Sequence, residues 1–149
     1  MRFSADDYRE AAEERAEDAR TLYEAGRYAL AHYTAGLAVE CLLRAYRRRS
    51  DPDFDSRHDL QQLYVASGFM HVVSSVGDRQ RAAALTWLDV LLPRWRNNHR
   101  YLSERSFRHF LKQEGLDRGV RGNYVKENSR LVVDAASRLV QLGVGRWLR

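Results

Sequence analysis

The sequence predicts an all-α protein, an antiparallel bundle of about five helices with no significant sheet. Three observations carry this. Apolar residues recur at helical spacing over several long stretches, and caps and glycines punctuate those stretches. No segment alternates apolar and polar residues over strand length with a partner to match.

The elements follow in order. Ser4 and Asp7 form an S-x-x-D capping box, with Phe3 and Tyr8 placed as a hydrophobic staple. Tyr8, Ala12, Ala16, Ala19 and Tyr23 then recur on one face until Gly26, a natural C′ residue. The next run, "RYALAHYTAGLAVECLLRAYRRR", puts Tyr28, Ala31, Ala35, Ala38, Leu42 and Tyr46 (or Ala45) on a stripe widened by Val39 and Leu43. So wide an apolar face suits a central helix, and Ala35, Gly36 and Ala38 would admit a close neighbour.

"SDPDFDSR" reads as a loop, with Asp55 or Ser56 available to cap the helix "HDLQQLYVASG". "FMHVVSSV", between Gly68 and Gly77, is expected to be helical or irregular. "DRQRAAALTWLDVLL" is expected as a helix with Ala83, Trp87 and Val90 (or Leu91) on its inner face. Pro93 either kinks it or opens a new one. A further helix runs through Phe107, Phe110 and Leu111, and "GLDRGVRGN" is a loop. The last helix, "YVKENSRLVVDAASRLVQLG", buries Val125, Val132, Ala136 and Leu139. At 149 residues, with no internal repeat and no long linker, residues 1–149 are expected to form a single domain.

Composition excludes several classes. With 44% hydrophobic and 30% charged residues, the chain is neither disordered nor a membrane span. The acidic N-terminus has no apolar signal core, so a cytoplasmic location is expected. Cys41 has no disulfide partner and reads as a small apolar residue, and no Cys/His spacing suggests a metal; no cofactor is expected. Charge is uneven: residues 1–24 carry eight acids against four arginines, whereas residues 79–149 carry fifteen basic residues against six acids. A basic C-terminal half suits a polyanion, although arginine-rich coding would give the same excess.

The densest polar cluster is "PRWRNNHRY", Pro93 to Tyr101. On a continuous helix Arg94 and Tyr101 would share a face, with Asn97 and Asn98 between them, while His99 would lie about 140° round from Arg94. Arginine and histidine would converge only if the segment bends or ends there, or if a second chain completes the site; the asparagines are poor helix formers. Such a cluster fits phosphodiester chemistry. A histidine can move a proton at a ribose 2′-OH, and an arginine can hold a phosphate by two hydrogen bonds. Asn97 or Asn98 can orient either group, Tyr101 can stack on a base, and Arg96 and Arg100 add phosphate affinity. The alternative is a capped, solvated helix end. His32, beside the apolar stripe, reads as a packed histidine. His58 heads a helix and reads as structural, and the "RAYRRR" cluster reads as cations favouring a helix C-terminus.

The helix "YALAHYTAGLAVECLLRAY" followed by "HDLQQLY" resembles the HEPN domain family, and "RWRNNHRY" matches its R-x4-6-H motif in the extended R-x4-H-x-Y form. In members with that form, the resemblance implies metal-independent RNA cleavage by a homodimer. Arg94 and His99 would be the catalytic pair in a cleft between subunits. Tyr101 would match the tyrosine that a minimal nucleotidyltransferase antitoxin modifies with adenylate. Catalytic members have a polar residue after the arginine, where this chain has Trp95. Other relatives keep an "RY" like Arg100-Tyr101 without nuclease activity, so a non-catalytic module that binds a nucleotidyltransferase or another effector is the alternative.

Overall fold

The computed structural model describes residues 1–54 and 59–147. Seven α-helices occur among them: α1 (Ala5–Glu24), α2 (Tyr28–Ser50), α3 (Leu60–Ser67), α4 (Phe69–Ser75), α5 (Asp78–Leu91), α6 (Glu104–Gln113) and α7 (Tyr124–Trp147). A 3₁₀ turn spans Asn97–Tyr101, and no strand occurs among the described residues. The count exceeds the expected five or so, one of the additional helices arising where Gly68, at φ 73°, splits one apolar region into the short α3 and α4.

Local signals act where the sequence puts them. The Ser4–Asp7 capping box forms, and the Phe3 ring meets Tyr8 edge-on at 5.9 Å. At the other end of α1, Gly26 N–H donates to Tyr23 and Arg27 N–H to Leu22, a Schellman reversal that Gly26 permits with φ 77°. α3 is capped by Asp59, in a box with Gln62, rather than by Asp55 or Ser56; these two and His58 lie outside the described residues.

α2 is the central element and packs on α1, α7 and α3. The short reversal makes α1 antiparallel to α2. α7 is different. Ser129 near its start bonds the Tyr28 carbonyl, and Gly143 near its end accepts from the Tyr46 hydroxyl at 2.6 Å, so α2 and α7 run parallel. The purely antiparallel bundle expected is therefore corrected for this pair. α7 also continues past Gly143, where it was expected to stop. A side chain there would lie 2.6 Å from a Leu42 methyl, so this glycine serves a close helix contact instead of a C-cap.

The inner face of α5 consists of Ala84, Leu88 and Leu91. Ala83, Trp87 and Val90 flank it, half-buried, so the expected face is rotated by about one residue. The arginines ending α2 are tied down within the fold. Arg48 is buried and donates to the Phe3 and Phe54 carbonyls. Arg49 bonds the Trp147 carbonyl and lies 3.9 Å over its ring.

Candidate functional site

The site begins where α5 fails. Pro93 has no N–H to continue the helical ladder, and the amides of Arg94 and Trp95 both turn back to the Leu91 carbonyl at 3.1 Å. No new α-helix opens there, so Pro93 neither kinks a helix nor starts one. The chain extends through Arg96 (φ −138°, ψ 152°) and then tightens into the 3₁₀ turn Asn97–Tyr101.

Trp95 anchors this segment to α2. Its indole fills the notch above Gly36, where a Cβ would stand 2.1 Å from the ring. Its Nε1–H donates to the Tyr33 carbonyl at 3.0 Å, and the two rings stack at 5.9 Å. Gly36 therefore receives an aromatic side chain, while α1 and α7 pack on α2 as its helical neighbours. With Trp95 fixed, the polar residues around it divide between solvent and core. Arg96, Asn97, Asn98, Arg100 and Tyr101 are exposed, Tyr101 by 75%. His99 turns inward and is 4% exposed.

His99 meets His32, a residue of the central helix that is itself 1% exposed. The two rings are joined from Nε2 of His32 to Nδ1 of His99 at 3.0 Å, and the Arg96 N–H donates to the same Nδ1 at 3.2 Å. Phe110 closes one side of His99 and Phe107 one side of His32, with centroids 4.6 and 4.8 Å away. Burial pushes the His32 ring down to about 3, with the neighbouring His99 adding to the effect. Burial likewise pushes His99 down to about 4; the Arg96 charge lowers it further and Glu114 opposes this. Both rings are neutral at pH 7.

The two residues of the R-x4-H pattern have different immediate partners. Arg94 is half-buried and donates from Nη1 to the Val90 carbonyl at 2.9 Å, while its Nε finds no partner. Its charge bears on His32. The guanidinium beside His99 is that of Arg96, which lies over the Phe110 ring and shares Glu114 at 3.4 Å. His32 thus interacts with both motif residues, with the His99 ring directly and with Arg94 through its backbone as well as its charge. Arg96, Asn97 and Asn98, together with Leu92, Pro93 and Trp95, form one wall of an open groove of about 540 Å³; Asp59, Leu60 and Gln61 form the other. On the far side, Arg100 lies 4.9 Å from the Tyr101 ring, and both act on the half-buried Tyr33 phenol, which burial pushes above its ordinary value.

A model of the HEPN domain matches residues 5–113. The chain belongs to the HEPN domain family. The match runs from α1 to the end of α6, so the HEPN region contains His32, the whole Arg94–Tyr101 segment and the phenylalanine wall. α7 lies beyond the HEPN match and packs along its central helix. No curated protein and no solved structure matches the chain significantly. Among the described residues no helix is long and apolar enough to cross a membrane, and no group of three or more His, Cys, Asp or Glu could hold a metal ion.

Sequence reasoning missed the partner of His99. A signal was present: His32 stands four residues after Tyr28 and three before Ala35, on the stripe read as core. A histidine there needs a polar partner.

Proposed function

We propose that this HEPN domain binds RNA and cleaves it without a metal, as the toxin of a pair whose antitoxin is a minimal nucleotidyltransferase. The observation supporting this reading is the Arg94-x4-His99-x-Tyr101 pattern on a broken, non-α-helical segment that also presents Arg96, Asn97, Asn98 and Arg100 to solvent. In the proposed reaction a ribose 2′-oxygen attacks phosphorus and the bond to the 5′-oxygen breaks. The 2′-hydroxyl loses its proton and the 5′-oxygen gains one. Arg94 is assigned to the phosphate and its developing charge, and His99 to proton handling as general acid–base. Asn97 or Asn98 orients these groups, and Arg96, Arg100 and Tyr101 bind the flanking chain. A homodimer completes the cleft by bringing a second copy of the segment against the first. Adenylation of Tyr101, whose ring is the most open in the segment, would place negative charge where RNA phosphate must sit.

A second reading is a non-catalytic module that docks a nucleotidyltransferase or another effector. The inward turn of His99 and the pairing of Arg96 with Glu114 favour it. The deciding experiment incubates purified protein with RNA in excess chelator and compares His99→Ala. Cleavage lost by roughly 10²-fold or more in the variant supports the enzyme. No cleavage by the wild-type protein stripped of partners leaves the module.

A further inference from the structure

We infer that His32 is a positioning residue for His99, holding the proton of neutral His99 on Nε2 so that the ring meets a bound phosphate as a hydrogen-bond donor. This rests on the nuclease reading above and narrows the role of His99 from general acid–base to hydrogen-bond donation to the phosphate.

The donors around the two rings favour one nitrogen of each for the proton. Nδ1 of His99 receives the Arg96 backbone N–H, which can only donate. A nitrogen that accepts this bond carries no proton, so the bond favours a neutral His99 ring with its hydrogen on Nε2, and at 3.2 Å it is the longer of the two contacts to Nδ1. Nε2 of His32, 3.0 Å from the same Nδ1, is then the donor of the pair. The remaining nitrogen of His32, Nδ1, makes no hydrogen bond of good geometry, but the Arg94 backbone interacts with the ring and favours a proton on it, so Arg94 competes with His99 for the one hydrogen of His32. No bond from the protein engages Nε2 of His99 among the described residues, which leaves it as the ring nitrogen without a protein partner.

The surroundings keep the pair in this form. Facing His32 are His99 and Arg94, with Phe107 and Phe110 on α6. Facing His99 are His32, Arg96 and Glu114, again with Phe110. The two guanidinium charges oppose any added proton on the rings; Glu114 offsets this at His99 and the Arg94 backbone at His32. A neutral histidine cannot accept a proton at a nitrogen that already carries one. Removal of the 2′-hydroxyl proton and protonation of the leaving 5′-oxygen therefore both fall to solvent, while His99 keeps its proton and gives the phosphate a hydrogen bond. His32 works through His99 and touches no substrate itself.

The test uses the full chain with ¹⁵N-labelled histidine and reads the protonated ring nitrogen of His99 by long-range ¹H–¹⁵N correlation at pH 7, with inorganic phosphate as the added ligand. The expected wild-type result is Nε2–H, with the Nε2 resonance moving on phosphate addition. In His32→Phe the shorter of the two bonds to Nδ1 is gone and only the 3.2 Å bond from the Arg96 N–H favours Nε2–H, so His99 should populate the Nδ1–H tautomer in part. His32→Gln, whose amide can still donate, should restore Nε2–H. Where RNA is cleaved, His32→Phe should lower kcat about 10²-fold with KM little changed and alter the pH profile, and His32→Gln should recover most of the loss. A wild-type His99 protonated on Nδ1 overturns the inference. So does a His32→Phe protein whose His99 tautomer is unchanged. If the tautomers behave as stated but no variant or wild-type protein cleaves RNA, the nuclease reading fails and the positioning of His99 by His32 stands.

Discussion

Gly36→Ala is the perturbation that best tests how the site segment is held. In an exposed helix interior this change stabilises by about 1 kcal/mol, because alanine loses less backbone freedom. Here the added methyl would lie 2.1 Å from the Trp95 indole, well inside van der Waals contact, so the ring must retreat by more than an ångström. That retreat breaks the 3.0 Å bond from Trp95 Nε1 to the Tyr33 carbonyl, worth about 1 kcal/mol, and disturbs the stack on Tyr33, worth about 0.5–1.5 kcal/mol. Overpacking strain adds roughly 1–3 kcal/mol. The net expectation is a loss of about 2–4 kcal/mol, read as a lower urea midpoint with an unchanged slope. The control is a double-mutant cycle. Trp95→Ala should itself cost about 3–5 kcal/mol, and in that background Gly36→Ala should become neutral or mildly stabilising. A Gly36→Ala protein more stable than wild type would refute the notch, and with it the anchoring of the Arg94–Tyr101 segment to α2.

Two further expectations concern stability. Both buried rings have folded values, about 3 for His32 and about 4 for His99, that lie below the ~6.5 of a free histidine. The unfolded chain therefore binds protons that the folded one refuses, so this contribution is complete above about pH 6.5 and is lost as pH falls towards 4. The loss should approach 1.4 kcal/mol per pH unit for a single ring, and urea midpoints measured from pH 7 to 4.5 should fall more steeply for wild type than for His32→Gln. A flat wild-type profile would contradict it. Glu104 caps α2 from a distance, accepting the Ala29 N–H at 2.7 Å where the N-cap residue Arg27 offers no side-chain bond. Glu104→Ala should cost about 1–2 kcal/mol in the same assay, and an unchanged midpoint would deny the cap any weight.

Signals confined to a few residues were readable in the sequence; those set by distant neighbours were not. Ser4, Asp7, Phe3 and Tyr8 act within one turn, so their box and staple follow from the string itself. The α2 stripe was legible for the same reason. Gly143 misled because a glycine reads as a stop until Leu42, a hundred residues away in sequence, is seen resting on it. Trp95 looked out of place after Arg94; its reason is Gly36, on another helix. His99 was singled out from its neighbours in sequence, but the ring that determines its proton is His32, and nothing in the Arg94–Tyr101 string points to it.

The position of Glu114 leads to one more measurable consequence. Its carboxylate holds Arg96 at 3.4 Å, both side chains about half exposed, and it also opposes the lowering of the His99 ring by that arginine. An incoming phosphate that recruits Arg96 must therefore separate it from Glu114. Glu114→Gln removes that competition and adds one net positive charge to the segment. RNA binding should tighten, and its logarithmic salt dependence should steepen by about 0.7–0.9, the share of one additional phosphate contact. The same change withdraws the charge that favours protonated His99, so the ring should titrate lower than in wild type. The two effects move in opposite senses for a histidine that must be protonated to work, and in the same sense for one that works neutral as a donor from Nε2. Tighter binding with cleavage maintained or raised at pH 7 fits the neutral donor; tighter binding with cleavage lost would mean that His99 needs the proton Glu114 helps it keep, and the Nε2–H tautomer would then belong only to the resting protein.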